Sequence, residues 1–68
     1  MLEDKVLQHL KQNQKAYTRP MFYLFDVKKS YGISLNKFRL FLRDLEKQGK
    51  IKEVFTDEYP YWRIINAE

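Results

Sequence analysis

The chain has no cysteine and one histidine, His9. Without thiols there is no disulfide framework and no thiolate metal site, and a single imidazole cannot build a zinc cluster within one chain. Two glycines and two prolines in 68 residues favour regular elements over a flexible tail. No long apolar run follows the opening MLEDKVLQHL, which carries acidic residues where a secretory leader carries basic ones. Neither a signal peptide nor a membrane span is expected, and a cytoplasmic location follows as an expectation. Catalytic arrangements are missing as well. Asp26, Asp44 and Glu53 are scattered, no Ser/His/Asp or Cys/His set can be drawn, and no glycine-rich phosphate cradle exists. The expectation is a protein that is not an enzyme and uses no metal or cofactor. His9 reads as a partly exposed surface histidine.

What the chain does have is rings and positive charge. One Trp, five Tyr and five Phe can fill a small core, each removing a large apolar area from water at the cost of few rotatable bonds. A chain this short buries only about 60% of its unfolded surface, so residues 1–68 are read as a single domain of marginal stability. A formal net charge of +4 and a pI near 9.4 favour approach to a polyanion.

The most informative stretch runs from Ser34 to Ile51, SLNKFRLFLRDLEKQGKI. Ser34 can cap a helix by accepting from its unpaired first-turn N–H groups, and Gly49 tolerates the left-handed conformation that ends one. Between them Phe38, Phe41, Leu42 and Leu45 recur at spacings of three and four and form one apolar stripe. Asn36, Lys37, Arg39, Leu40, Arg43 and Lys47 occupy the opposite face. An amphipathic helix with a mostly basic outer face suits insertion into a nucleic-acid groove.

The preceding chain holds two more helices. Leu2, Val6, Leu7 and Leu10 fall on one face of a first helix, Leu2 to about Gln14, with Glu3 and Asp4 in its first turn and Lys11 and Lys15 near its end, as the helix dipole favours. Thr18 can cap a second helix whose first turn accepts Pro20. It is expected to run to about Ser30, with Phe22 and Phe25 facing inward, Met21 and Leu24 as further inward candidates, and Gly32 ending it. Ile33 is expected to be buried in the turn. After Gly49 the period changes to two. Lys50 to Thr56 and Tyr61 to Ile65 read as strands of a hairpin, joined through Asp57–Pro60 and pinned by Ile51, Phe55, Trp62 and Ile64. The fold class is therefore α+β, mainly helical: a three-helix core with a C-terminal β-hairpin.

The run YGISLNKFRLFLRDLEKQGKI, with Phe38, Leu42 and Leu45 at spacings of four and three and the closing Leu45, Glu46, Gly49, Ile51, resembles winged helix-turn-helix domains. That resemblance covers essentially the whole chain. It implies that the helix at about 34–48 enters the DNA major groove and that the hairpin is a wing against the backbone. Carried over, it assigns Asn36, Lys37, Arg39, Leu40, Arg43 and Lys47 to the groove face and Lys50 and Lys52 to neighbouring phosphates. Arg39 and Arg43 are four apart, and a guanidinium fork reads guanine or clamps phosphate, while Asn36 suits adenine. Tyr17, Thr18 and Arg19 precede or open the second helix, where Thr18 and Arg19 would meet phosphate.

The expected partner is double-stranded DNA, with single-stranded DNA as a variant in which tyrosines stack on unpaired bases. The role would be that of a transcriptional regulator or a replication accessory factor. So few contacts call for a homodimer or a protein partner, through the first helix or through Tyr23, Tyr31 and Tyr61. The competing reading is a winged-helix protein-interaction module, a small subunit of a replication or transcription complex. It rests on Asp57 and Glu58, carboxylates that phosphate repels at the tip of the wing, with Tyr59 beside them, and on Leu40, an apolar residue on the groove face.

Overall fold

In chain order the elements are α1 (Leu2–Gln12), α2 (Thr18–Leu24), α3 (Val27–Tyr31), α4 (Leu35–Lys47), β1 (Ile51–Val54) and β2 (Tyr61–Ile64), in a computed structural model that describes residues 1–65. The fold is α+β, four helices followed by an antiparallel hairpin, a layout compatible with a winged helix. The last residues of the expected domain, 66–68, lie outside the described ones. No helix among the described residues is long and apolar enough to cross a membrane.

The two longest helices form largely where their periodicity places them. Leu2, Val6 and Leu10 of α1 are buried, and Leu7 packs against them half-exposed. α1 ends at Gln12, two residues earlier than its pattern suggests, because Asn13 turns to extended backbone while its side-chain amide donates to the His9 carbonyl at 2.9 Å. Ser34 caps α4 as expected, its Oγ accepting from the Lys37 N–H at 3.3 Å. Phe38, Leu42 and Leu45 are buried, while Phe41 is half-buried and stacks on Phe38 at a centroid distance of 6.2 Å. At the far end Gly49 takes φ 79°, and the N–H groups of Lys50 and Gly49 donate to the carbonyls of Leu45 and Glu46. These paired closing bonds satisfy carbonyls that a helix end leaves open, and the left-handed residue they need is glycine.

The expected second helix is two helices. Asp26 adopts φ 50° and breaks the run between α2 and α3. Packing explains the break. Met21, Phe22 and Val27 are all buried, yet in one continuous helix Val27 would project roughly 140° away from Phe22 at 3.6 residues per turn. One left-handed residue redirects the chain, and aspartate tolerates that conformation better than most. Leu24 stays 63% exposed, Phe25 is half-buried against His9, and Ile33 is only half-buried.

In the hairpin Ile51 pairs with Ile64, Lys52 with Arg63, Glu53 with Trp62 and Val54 with Tyr61. The strands are shorter than expected. Pairing stops at Val54–Tyr61 because the next residue, Pro60, has no N–H to offer. Phe55, expected to pin the hairpin, lies past that point and is 75% exposed. The tip beyond it is held by the Thr56 hydroxyl, which donates to the Tyr59 carbonyl and accepts from the Glu58 N–H. One further pairing is absent from the sequence reading: Ala16, between α1 and α2, exchanges both backbone hydrogen bonds with Trp62, at 3.2 and 2.7 Å. β2 thus lies between β1 and the segment at Ala16, and Ala16, Trp62 and Ile51 close the core over α1 and α4.

Candidate nucleic-acid interface

Three elements meet in a groove of about 750 Å³: the start of α2 (Tyr17, Thr18, Arg19, Pro20), the α4 side chains Arg39 and Arg43, and the hairpin residues Glu53, Tyr59, Pro60 and Trp62. The indole N–H of Trp62 donates to Thr18 Oγ1 at 2.9 Å and ties the hairpin to α2. Thr18 therefore does not cap its helix. It is the first helical residue, Tyr17 holds the cap position, and the Thr18 O–H remains able to donate into the groove.

Arg19 and Arg39 are exposed and make no ion pair among the described residues. The groove thus presents two uncompensated guanidinium groups above a floor of proline and aromatic rings. A guanidinium offers five donors in a planar fork, the geometry that clamps phosphate oxygens.

Arg43 lies beside them in a different state. Its Nη1 donates to Glu46 Oε1 at 2.9 Å and stands 2.8 Å from Glu53 Oε1, and its guanidinium carbon is 5.5 Å from the centre of the Trp62 ring. Glu53 and Arg43 thus form a close ion pair. The Glu53 carboxylate foremost, then that of Glu46, raises the Arg43 pKa above the ordinary arginine value. Glu46 also accepts from the Glu53 backbone N–H through Oε2 at 3.1 Å, which occupies the outer edge of β1. That backbone bond, against an opposing effect of burial and with help from Arg43, holds the Glu46 carboxyl below the usual carboxylate range. Arg43 enters the groove as one member of an internal ion cluster that braces the hairpin on α4, rather than as the free fork expected of it.

The other expected contact residues are distributed unevenly. Asn36, Lys37, Leu40 and Lys47 are exposed on α4 outside the groove lining, with Leu40 68% exposed. Lys50, expected on a phosphate, is paired with Glu3 of α1. Lys52 is exposed and alternates with Glu53, which places it on the hairpin face turned away from the groove. Asp57, Glu58 and Tyr59 are exposed at the tip, Tyr59 at 77%. Of the expected contacts, then, Thr18, Arg19, Arg39 and Arg43 are brought together, joined by Tyr59 from the competing set.

The sequence reading missed the apolar floor of Pro20, Pro60 and Trp62, which becomes visible only when the hairpin docks, and two cations, Lys15 and Arg63. Arg63 had a signal: in YWRII, a period of two puts it opposite in facing to Trp62. Among the described residues no group of three or more acidic or histidine side chains is placed to hold a metal ion. No protein-family model matches the chain, and no curated protein or solved structure matches it either.

Proposed function

We propose that this protein is a DNA-binding module whose groove between α2, α4 and the hairpin holds the backbone of a duplex while the outward face of α4 turns toward the bases. The observation that carries this reading is the pair Arg19 and Arg39, uncompensated among the described residues and converging from two helices on one groove. Asn36 and Leu40 sit on the adjoining exposed face of α4. There an amide matches adenine and an isobutyl group the thymine methyl. A regulator of transcription or an accessory factor in replication are the roles such a module fills, and contacts this few favour action as a dimer or within a larger assembly.

The test is fluorescence anisotropy on duplex DNA over a range of salt. Each phosphate contact contributes about 0.9 to the slope of log affinity against log salt. The double substitution Arg19→Ala, Arg39→Ala is expected to weaken binding and flatten that slope by nearly two. An unchanged slope removes the groove from the binding surface.

One observation favours a second reading, a module that binds protein. Phe55 and Tyr59, 75% and 77% exposed, flank Asp57 and Glu58 at the hairpin tip, and Leu40 is 68% exposed on α4. An acidic, aromatic tip suits a basic protein surface better than phosphate. On that reading Asp57→Lys with Glu58→Lys abolishes partner capture and strengthens DNA association; on the DNA reading only the second effect occurs.

A further inference from the structure

The hairpin has a second face, and it is basic. Lys52 and Arg63 are directly opposite each other in the strand pairing, both exposed, and neither is in an ion pair among the described residues. Like charges across an antiparallel pair repel and destabilise it. Beside them, the Lys15 Nζ lies over the Tyr61 ring at 5.1 Å from its centroid, and the Tyr17 ring meets Tyr61 edge-on at 6.4 Å. The only carboxylate within the two strands, Glu53, is on the other face, against Arg43. The result is a surface of three cations and two tyrosines, with the acidic residues Asp57 and Glu58 confined to the turn beyond it.

This face is continuous with the groove. Tyr17 both lines the groove and touches Tyr61. A strand lying in the groove can therefore pass over Tyr17 onto the sheet without leaving the protein. A duplex has its bases stacked within itself and offers the sheet only backbone, whereas an unpaired strand offers bases to the rings and phosphates to the cations together. An ammonium held only by a ring face is free to swing onto a phosphate and yield that ring to a base.

From this we infer that the outer face of the hairpin, through Lys15, Lys52, Arg63, Tyr17 and Tyr61, holds a segment of single-stranded DNA continuing from a duplex in the groove, so that the module is built for a junction between paired and unpaired DNA. The inference rests in part on the duplex reading given above.

The experiment measures anisotropy with three probes: a blunt duplex, the same duplex carrying an unpaired thymidine tail on either end of a strand, and a thymidine oligonucleotide alone. The tailed duplex is expected to bind about tenfold more tightly than the blunt one, the worth of one or two stacked bases. Lys52→Gln with Arg63→Gln removes that advantage and leaves blunt-duplex affinity unchanged, and Tyr61→Leu removes most of it without altering the salt slope. Thermal melts confirm that the variants fold. A tail that adds nothing overturns the inference, as does a double variant that weakens both duplexes equally, or a protein that ignores the tail and binds anionic phosphatidylserine vesicles. If the protein ignores the blunt duplex yet binds the thymidine oligonucleotide, and loses it with Lys52→Gln and Arg63→Gln, the groove reading fails and the sheet-face assignment stands.

Discussion

Glu46 joins α4 to β1, and its removal has a calculable cost. One oxygen accepts from Arg43 at 2.9 Å, the other from the Glu53 backbone N–H at 3.1 Å, and the side chain is 28% exposed. Glu46→Gln retains a carbonyl oxygen for one of these donors but loses the charge. Hydrogen bonds to charged groups contribute about 1.5–3 kcal/mol net and neutral ones about 0.5–1.5, so the retained bond loses about 1 kcal/mol, and loss of the exposed ion pair with Arg43 adds at most about 1 kcal/mol. Glu46→Ala leaves the part-buried Glu53 N–H without its acceptor, a cost of about 1–3 kcal/mol. For a domain of this size each kcal/mol lowers the melting temperature by roughly 4–8 °C. The two variants should therefore rank Gln above Ala, with the wild type above both.

The dependence on acidity follows from the lowered Glu46 pKa. A carboxyl with a folded-state pKa below its unfolded value, about 4.3 for glutamate, contributes stability in full above the unfolded value. That contribution is lost as pH falls through the folded one. The gap between wild type and Glu46→Gln should be widest near neutrality and close in acid. Urea unfolding followed by the fluorescence of Trp62, the sole tryptophan, measures it. A gap that stays constant from neutrality into acid, or Gln and wild-type midpoints that coincide at neutral pH, would refute the account of Glu46.

Two further outcomes are open to the same melts. Lys52→Glu turns the repulsive cross-strand pair with Arg63 into an attractive one and should raise stability by about 0.2–1 kcal/mol, less a small repulsion with Glu46, with the gain shrinking as salt rises; a fall in melting temperature at low salt would contradict it. Asp26→Gly relieves a side chain at φ 50° at some cost in chain entropy, for a net gain of a few tenths to about 1 kcal/mol, whereas Asp26→Ala should lose stability; equal melting temperatures for the two variants would show that the site is unstrained.

The parts of the fold that could be read from sequence are those with local causes. Ser34, the stripe of Phe38, Leu42 and Leu45, and Gly49 define α4 through spacing and end chemistry alone, and the structure reproduces each. The break at Asp26 was not legible, because its cause is the need to bury Val27 together with Met21 and Phe22, a tertiary demand that local periodicity does not express. Phe55 misled for a related reason: alternation predicts a longer strand, but Pro60 on the partner ends the pairing. At the groove, basic residues on one helix face were visible, yet their states were not. Arg39 and Arg43 are equivalent by spacing, and only the position of Glu53 on the docked hairpin separates an uncompensated guanidinium from a braced one.

The pairing of Ala16 with Trp62 sets an order on folding. Thr18 and Trp62, joined by the indole hydrogen bond, are 44 residues apart, and closing so long a loop costs entropy before any contact repays it. α2 and α3 rest on contacts near in sequence and can form early, whereas α1, which packs on β2, and the segment at Ala16 must wait for β2. β2 is the last described element in chain order, although it lies between the two segments it pairs with. Without Tyr61–Ile64 the chain lacks Trp62, so α1 loses the strand it packs on and Ala16 loses its backbone partner.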